Sequence, residues 1–274
     1  MMQCPHCHSE NTRIRRNQTT SLGYPLHFCR SCQRSFNERT GTPFNHLEVP
    51  TDIVFQVLYC RLRFKLSYRD VAELFWLRGF HFSHETVREW SERFAPEFAE
   101  HIRNKRQQTF GRIWYVDETY TRIQGKWCYL YRGIDEHGNL LDVRLSEHRD
   151  LEAAKAFFEQ VAELMAELPE RVVTDGHSSY PRAISEVLGE TVEHQVSKSV
   201  HNPVEQSHRK LKQRYYPTQG FSNVETAGYF CEAVEELNQF LRVRQSMGEF
   251  VSLPEYRLQI QARMSELRDM MKAA

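Results

Sequence analysis

Residues 113–117 read IWYVD, four apolar residues that lead straight into a carboxylate, Asp117. The short length of this run and its β-branched and aromatic content predict a buried strand. Residues 172–176, VVTDG, repeat the pattern, with Asp175 at the end of the run and a glycine directly after it. If the two strands are neighbours in one sheet, both acids lie at the same edge of that sheet.

A third acid, Glu205, lies in residues 202–212, NPVEQSHRKLK, which open with Pro just after Asn, as helices often do. Three carboxylates a few ångströms apart repel one another by roughly 4 kcal/mol per pair at an effective dielectric constant near 20. A divalent cation relieves this repulsion, and carboxylate oxygens suit Mg²⁺ or Mn²⁺. The three acids therefore predict a site for two such ions, an arrangement that supports phosphoryl transfer.

The motifs between residues 40 and 245 resemble, in their order and spacing, those of the DDE transposases of bacterial and archaeal insertion sequences. The closest likeness is to the insertion-sequence-six type. The matching segments are WYVDETY at 114–120, GKW at 125–127, YLYRGID at 129–135, RD at 149–150, the AAxxFF pattern at 153–158, TDG at 174–176 and NPVE at 202–205.

This resemblance implies an α/β fold with an RNase H-like catalytic core in which Asp117, Asp175 and Glu205 hold the two metal ions. It implies a transposase that nicks the ends of an insertion sequence and joins the freed 3′-hydroxyls to target DNA, with replicative, cointegrate-forming movement. It also implies that Lys212, seven residues beyond Glu205, meets a DNA phosphate near the scissile bond. The resemblance also suggests that Tyr120 and Trp127 form a wall of the site or contact a flipped base. We expect instead that both pack in the core.

The helix predicted around Glu205 places His208 and Lys212 on the same face, at i+3 and i+7. His208 either orients water or phosphate, or is simply exposed. The basic tract Arg209, Lys210 and Lys212 suits a DNA backbone. Glu118 directly follows Asp117, so strand alternation predicts that it points to the other face and is not a ligand.

Residues 1–45 predict a zinc ribbon, because two C-x₂-C pairs supply four thiolates to one tetrahedral Zn²⁺. The four predicted ligands are Cys4, Cys7, Cys29 and Cys32. His6 and His8 lie nearby but are not needed as ligands. A module of this size buries too little apolar surface to fold without the metal. Three arginines between the pairs, Arg13, Arg15 and Arg16, predict phosphate contacts, with a solvated surface as the alternative.

Residues 46–108 predict a helix-turn-helix segment that binds DNA, with a purely structural helical bundle as the alternative. Ser67 and Asp70 are spaced as a capping box, and Gly79 ends that helix. Ser83 is placed to cap the next helix, whose Val87, Trp90 and Phe94 share one face. His84, Arg88 and Ser91 are expected on the opposite face, facing the major groove.

Residues 109–245 then predict three antiparallel strands followed by helix, strand, helix, strand, helix, the element order of an RNase H-like domain. Asp135 and Asp142, in or beside the hairpin after the second strand, are expected to be structural. Residues 246–274 predict a C-terminal helix, which either packs on the core or forms a dimer surface. A homodimer or higher oligomer is expected, since both element ends must be held together.

The overall composition sets the remaining limits. The formal charge is zero, with an excess of basic residues in 1–110 and an excess of acidic residues in the rest. Seven cysteines, an odd number, and the lack of a signal peptide or a long apolar run predict a protein of a reducing cytoplasm that is not associated with a membrane. The resemblance further implies a prokaryotic protein associated with the nucleoid. Two alternatives remain open: another RNase H-like nuclease such as a resolvase or integrase, and a non-catalytic zinc-ribbon DNA-binding protein.

Overall fold

The computed structural model describes residues 2–105, 110–197, 211–215, 220–221, 223–243 and 251–273. The chain divides into two compact units, Met1–Val57 together with Glu266–Ala274, and Leu58–Ser265. No helix in the described ranges has both the length and the apolar character needed to cross a bilayer.

The first unit contains a small antiparallel sheet of three strands in sequential order: β1 (Thr12–Thr19), β2 (Pro25–Cys29) and β3 (Ser35–Phe36). The apolar cluster beside this sheet is small and consists of buried Cys4, Cys29 and Phe36, with Cys32 packed against them. A core of this size leaves much of the stability to other interactions.

Helices follow the small sheet along the chain: α1 (Thr51–Arg63), α2 (Tyr68–Trp76) and α3 (His84–Asn104). The predicted capping box of α2 is confirmed, since Ser67 Oγ accepts from Asp70 N at 3.2 Å and the Asp70 carboxylate accepts from Ser67 N at 2.8 Å. Gly79 adopts a φ of +82°, which suits glycine and ends the helical run.

α3 begins where predicted, because Ser83 Oγ accepts from Thr86 N at 3.2 Å. Its apolar face is also as predicted, with Val87, Trp90 and Phe94 buried. The placement of Ser91 on the exposed face is wrong. Ser91 lies four residues after Val87, therefore shares its face, and donates to its carbonyl at 2.7 Å.

The second sheet has five strands in the order β6-β5-β4-β7-β8. Its elements, with the helices between and after them, are β4 (Ile113–Ile123), β5 (Lys126–Asp135), β6 (Leu140–Ser146), α4 (Leu151–Leu164), β7 (Arg171–Thr174), α5 (Ser179–Leu188), β8 (Glu193–Val196), α6 (Val224–Phe240) and α7 (Leu253–Ala273). β4, β5 and β6 are antiparallel, whereas β7 and β8 run parallel to β4. The predicted order of strands and helices and the α/β class are confirmed.

Helices cover both faces of this sheet. On one face the aromatic and aliphatic residues of α4 and α5 pack against Trp114, Val116 and Tyr131. On the other face α6 packs against β6 and, through Ala227, against Ile123 and Cys128. α3 packs against α6 in turn. The sheet is therefore a buried layer whose strand ends are held in fixed positions.

Candidate active site

The pairing of β4 with β7 brings the two predicted aspartates together. The parallel register joins Ile113 to Arg171, Trp114 to Val172 and Tyr115 to Val173. The same offset carried two residues further places Asp117 beside Asp175. Neighbouring strands lie about 4.8 Å apart, and the carboxylate oxygens of Asp117, Glu118 and Asp175 lie within 4.8 Å of one another.

The turn after β7 holds Asp175 in position. Gly176 has a φ of +86°, and a side chain added there would lie 2.6 Å from Val196 Cγ1, so only glycine fits without a shift. Asp175 Oδ1 accepts from His177 N at 2.9 Å, which closes a short turn around the carboxylate. The TDG motif is therefore a structural device that presents an acid at a strand end.

Arg149 links the acids on this edge of the sheet. It directly precedes Asp150, which caps α4 by accepting from Ala153 N at 2.9 Å. Its guanidinium bonds to the Glu118 carboxylate and lies 3.2 Å from Asp175 Oδ2. The other Glu118 oxygen accepts from the hydroxyl of Tyr180 on α5. Both Glu118 oxygens are thus engaged by side chains from α5 and the start of α4.

The electrostatics of this group follow from burial and proximity. Burial raises the pKa of Glu118 above its usual value, while the Tyr180 hydroxyl and the Arg149 charge act in the opposite direction. Burial, followed by the charge of Glu118, raises the pKa of Tyr180 well above its usual value, so the hydroxyl stays protonated and donates. Burial disfavours the charged guanidinium of Arg149, but the carboxylates of Glu118 and Asp175 outweigh it and raise the pKa of Arg149.

The carboxylate of Glu118 belongs to the acidic cluster, although the prediction that Glu118 points to the face opposite Asp117 is correct. Alternation does place Glu118 on the face of Trp114 and Val116, but Arg149 and Tyr180 lie on that face and hold the carboxylate at the edge of the sheet. Sequence reasoning gave no role in the site to Arg149 or Tyr180 and excluded Glu118 only as a ligand. The one local signal was the position of Arg149, immediately before a helix cap.

Lys212 is the described member of the predicted basic group around Glu205. Its ammonium lies 5.3 Å from the ring centroid of Tyr120, which is three residues beyond Asp117 on β4. The other predicted residues of this group, Glu205, His208, Arg209 and Lys210, lie outside the described residues. The prediction that Tyr120 and Trp127 pack in the core is wrong, because they are 60% and 53% exposed.

Asp135 and Asp142 have structural environments, as expected. The Asp135 carboxylate accepts from Asn139 N at 2.7 Å and from Gly111 N at 3.0 Å, which fixes the hairpin between β5 and β6. Asp142 is fully buried and lies 3.2 Å from the Arg103 guanidinium. Neither aspartate belongs to the acidic cluster that the described residues form at the edge of the sheet.

The four cysteines of the N-terminal unit also converge. Their sulfurs lie within 4.8 Å of one another, with Cys4 Sγ 3.7 Å from Cys32 Sγ and Cys7 Sγ 3.6 Å from Cys29 Sγ. A tetrahedral zinc ion with Zn–S bonds of about 2.3 Å requires sulfurs about 3.8 Å apart. The cluster therefore has the donor set and the spacing of a zinc site.

The DNA-binding residues predicted in the N-terminal half of the chain lie on two surfaces. On β1, Arg13 and Arg15 lie over the ring of Phe28, at 5.4 and 5.1 Å from its centroid, and they line a basic groove together with Arg16. At the start of α3, His84 is partly exposed and Arg88 is exposed, and both contact the carboxylate of Glu85. That carboxylate offsets part of their positive charge.

The chain is similar in sequence to known transposases. Residues 111–243 match a family model described as a DDE domain. The chain is 34% identical over 175 residues to the transposase for insertion sequence-like element IS431mec of Staphylococcus aureus, a match that covers 62% of this chain and 77% of that protein. The transposase for IS257 in transposon Tn4003 of the same species is similar to the same extent. Among solved structures, the chain is similar to the HTLV-2 integrase catalytic core domain in complex with magnesium (trimeric form), with 18% sequence identity and a TM-score of 0.36. The match covers 56% of this chain and 99% of the integrase domain.

An α/β sheet with one aspartate on β4 and a second directly after the neighbouring strand β7, within a DDE domain, defines a metal-dependent polynucleotidyl transferase. The chain belongs to the DDE transposases of the insertion-sequence-six type. Its activity is that of a DNA transposase.

Proposed function

We propose that residues 109–245 form an RNase H-like catalytic core in which Asp117, Asp175 and Glu205 hold two Mg²⁺ or Mn²⁺ ions. The observation that carries this proposal is the position of Asp117 and Asp175, whose carboxylates face each other across neighbouring parallel strands. Glu205 is the third ligand by the resemblance. The Lys212 ammonium lies beside Tyr120 on β4. This position supports the proposal that the segment carrying Glu205 lies next to β4.

The charge balance of the cluster fits divalent cations. Three carboxylates face one guanidinium in the described part of the site. Each pair lies within 4.8 Å, and at that limit repels by roughly 3–4 kcal/mol at an effective dielectric constant near 20. Oxygen donors of this kind suit Mg²⁺. Glu118 is not proposed as a ligand, because both of its oxygens are engaged by Arg149 and Tyr180.

When bound, such ions activate the attacking oxygen and stabilise the leaving oxygen of a phosphodiester. The side chains around them position the DNA. Asp117 and Asp175 fix the metal site between rigid strands, and Arg149 keeps Asp175 oriented. Lys212 and His208 bind the phosphate next to the scissile bond. In two successive reactions at one site, water cuts the strand at the element end, and the freed 3′-hydroxyl then attacks target DNA.

The N-terminal segments deliver the DNA to the core. Residues 1–45 form a zinc ribbon whose ion is bound by Cys4, Cys7, Cys29 and Cys32, and whose Arg13, Arg15 and Arg16 contact phosphates. Residues 46–108 form a helix-turn-helix in which His84 and Arg88 reach the groove, with DNA phosphates taking the place of Glu85 as their partner. Arg209 and Lys210 extend the phosphate contacts near the site. Residues 246–274 form a C-terminal helix, and the protein acts as a dimer or higher oligomer that holds both element ends.

A strand-transfer assay tests this proposal. Purified full-length protein is incubated with labelled DNA carrying the inverted repeats that flank its gene, a target plasmid and Mg²⁺. We expect nicking at the element end and joining of the label to the target. Asp117→Asn, Asp175→Asn and Glu205→Gln should each abolish both steps, whereas Asp52→Asn, a charge change outside the core, should not. Cutting of branched DNA without joining would instead identify a resolvase, and full activity in all three variants would refute the assignment.

A further inference from the structure

We infer that a cavity between the end of α1, β5 and the C-terminal part of α6 binds a phosphate group. The cavity has a volume of about 620 Å³ and lies within the larger unit. Its described walls include Arg63 at the end of α1, Lys65 just after it, Asn238 on α6 and Arg242 beyond α6. None of the three clustered acids is among the described residues that line it, so the cavity is a second site. The inference rests on the proposed function only in taking DNA as the source of the phosphate.

The described walls of the cavity carry an excess of positive charge. Their one acid, Glu235, forms an ion pair with Arg132 at 2.9 Å. The cations on these walls are Arg63, Lys65, Arg132, Arg214 and Arg242. Burial, followed by the nearby charge of Arg63, lowers the pKa of Arg214. Like charges are therefore crowded around the cavity, and an anion inside it would relieve their repulsion.

Neutral backbone groups hold two of the arginines at the wall. Arg214 Nε donates to the carbonyl of Arg63 at 3.1 Å, and the Arg242 guanidinium donates to the carbonyls of His137 and Gly138. These bonds position the guanidinium groups without cancelling their charge. Positioned arginines suit a phosphate, because the planar fork of donors matches the phosphate oxygens.

Asn238 gives independent evidence for a hydrogen-bond acceptor in the cavity. Its Oδ1 accepts from Arg63 Nη1 at 3.2 Å, which fixes the orientation of the amide. Its Nδ2 is buried and has no hydrogen-bond partner within the described structure. A buried donor is destabilising without an acceptor. The oxygens of a phosphate held between the cations would supply that acceptor.

The cavity begins one strand away from the catalytic acids. Arg132 on β5 is the register partner of Asp117, and such partners place their side chains on the same face with Cα atoms about 5 Å apart. Ile134 and Gly138 also line the cavity, which therefore extends from the level of Asp117 toward the hairpin between β5 and β6. A phosphate bound there is a different one from the phosphate at the metal ions. The cavity volume exceeds that of one phosphate, which favours a sugar-phosphate backbone over the free ion.

The salt dependence of DNA binding tests the cavity without catalysis. Full-length protein in buffer without Mg²⁺ is titrated into a labelled duplex of the element end at several NaCl concentrations. Each phosphate contact contributes about 0.9 to the slope of log affinity against log salt concentration. Arg63→Gln and Lys65→Gln should therefore each weaken binding and reduce this slope by about 1. Arg144→Gln removes an exposed cation beside Tyr131, on the opposite face of the sheet, and should leave the slope unchanged.

Asn238→Asp distinguishes phosphate binding from a structural role of the cavity. Its carboxylate would take the place of the anion, so the variant should unfold at a higher temperature and yet bind DNA more weakly. Inorganic phosphate is the second probe. Compared with chloride at equal ionic strength, it should raise the Tm of the wild type by about 2–4 °C, but not that of Asn238→Asp. A response to inorganic phosphate with unchanged slopes in the glutamine variants would support the site and identify the free ion as its occupant.

Two results decide against the inference or keep it apart from the catalytic proposal. A Tm that does not respond to phosphate, together with unchanged slopes in folded Arg63→Gln and Lys65→Gln, would overturn the inference. Asp117→Asn should lose nicking but keep both the slope and the response to phosphate. If Asp117→Asn nicks DNA normally, the catalytic proposal fails while the cavity is judged by binding alone.

Discussion

The Arg149 guanidinium lies 3.2 Å from the carboxylate of Asp175 and at the same time bonds to that of Glu118. Arg149 is about one-third exposed and Asp175 less than half exposed, whereas the side chain of Glu118 is almost completely buried. Glu118 is therefore held in place by its burial. Arg149, which contacts Glu118, in turn orients the carboxylate of Asp175 at the end of β7. In a site where a carboxylate must bind metal, this is a positioning role.

Arg149→Ala should lower the rate of DNA nicking by about 10–100-fold at saturating Mg²⁺, as loss of an outer-shell partner usually does. Arg149→Lys should restore only part of the rate, because an ammonium lacks the planar fork that spans two carboxylates. The measurement is single-turnover nicking at several Mg²⁺ concentrations. Arg182→Ala, at an exposed arginine on α5, is the control. A lysine variant as active as the wild type would show that only the charge matters.

Tyr180 and Tyr131 are a matched pair of buried tyrosines with different hydroxyl environments. The Tyr180 hydroxyl donates to Glu118, whereas that of Tyr131 has no hydrogen-bond partner within the described structure. Tyr180→Phe should lower the free energy of unfolding by about 1–3 kcal/mol, because a buried carboxylate loses its donor. Tyr131→Phe should be neutral or slightly stabilising. Urea unfolding measures both, and equal losses would contradict the assignment.

Arg103 is the centre of a buried ionic network. It contacts Asp142 and Glu236, whose side chains are fully buried, and also Glu232. Arg103→Met should destabilise the protein by about 3–5 kcal/mol, because it leaves buried carboxylates without their cation. Arg112 is the control, since its ion pair with Glu170 is exposed and its loss should change stability by less than about 1 kcal/mol. Thermal unfolding of the Arg103 and Arg112 variants measures the two losses of stability. Equally small losses would show that the network is dispensable.

Removal of zinc should unfold the N-terminal module and leave the larger unit folded. The sulfur cluster has the spacing of a tetrahedral site, and the apolar core beside it is small. A chelator, or Cys4→Ser, should release about one equivalent of zinc and expose residues of the module to protease, while Cys60→Ser should do neither. Metal analysis and limited proteolysis follow the two effects. A module that stays protected without metal would contradict this prediction.

Local chemistry made much of the fold predictable. The capping box of Ser67 and Asp70, the apolar runs that lead into Asp117 and Asp175, and the hairpin at Asp135 depend on residues close together in the sequence. Ser91 shows the limit of this reasoning, because its polarity suggested an exposed face while its spacing from Val87 determined a buried one. Glu205 lies outside the described residues, so its role as the third metal ligand stays a prediction from the resemblance.

The sequence by itself determined the elements, their order, the acids that follow two apolar runs and the paired cysteines, because each depends on interactions between near neighbours. Only the tertiary structure decided that Glu118 joins the acidic cluster, since Arg149 and Tyr180 reach it from separate helical segments. It also decided that Tyr120 and Trp127 are exposed, because the core formed with α4 and α5 reaches Trp114 and Val116 but does not include these two rings. The burial of a side chain depends on which distant segments pack over it, and the periodicity of a strand carries no information about them.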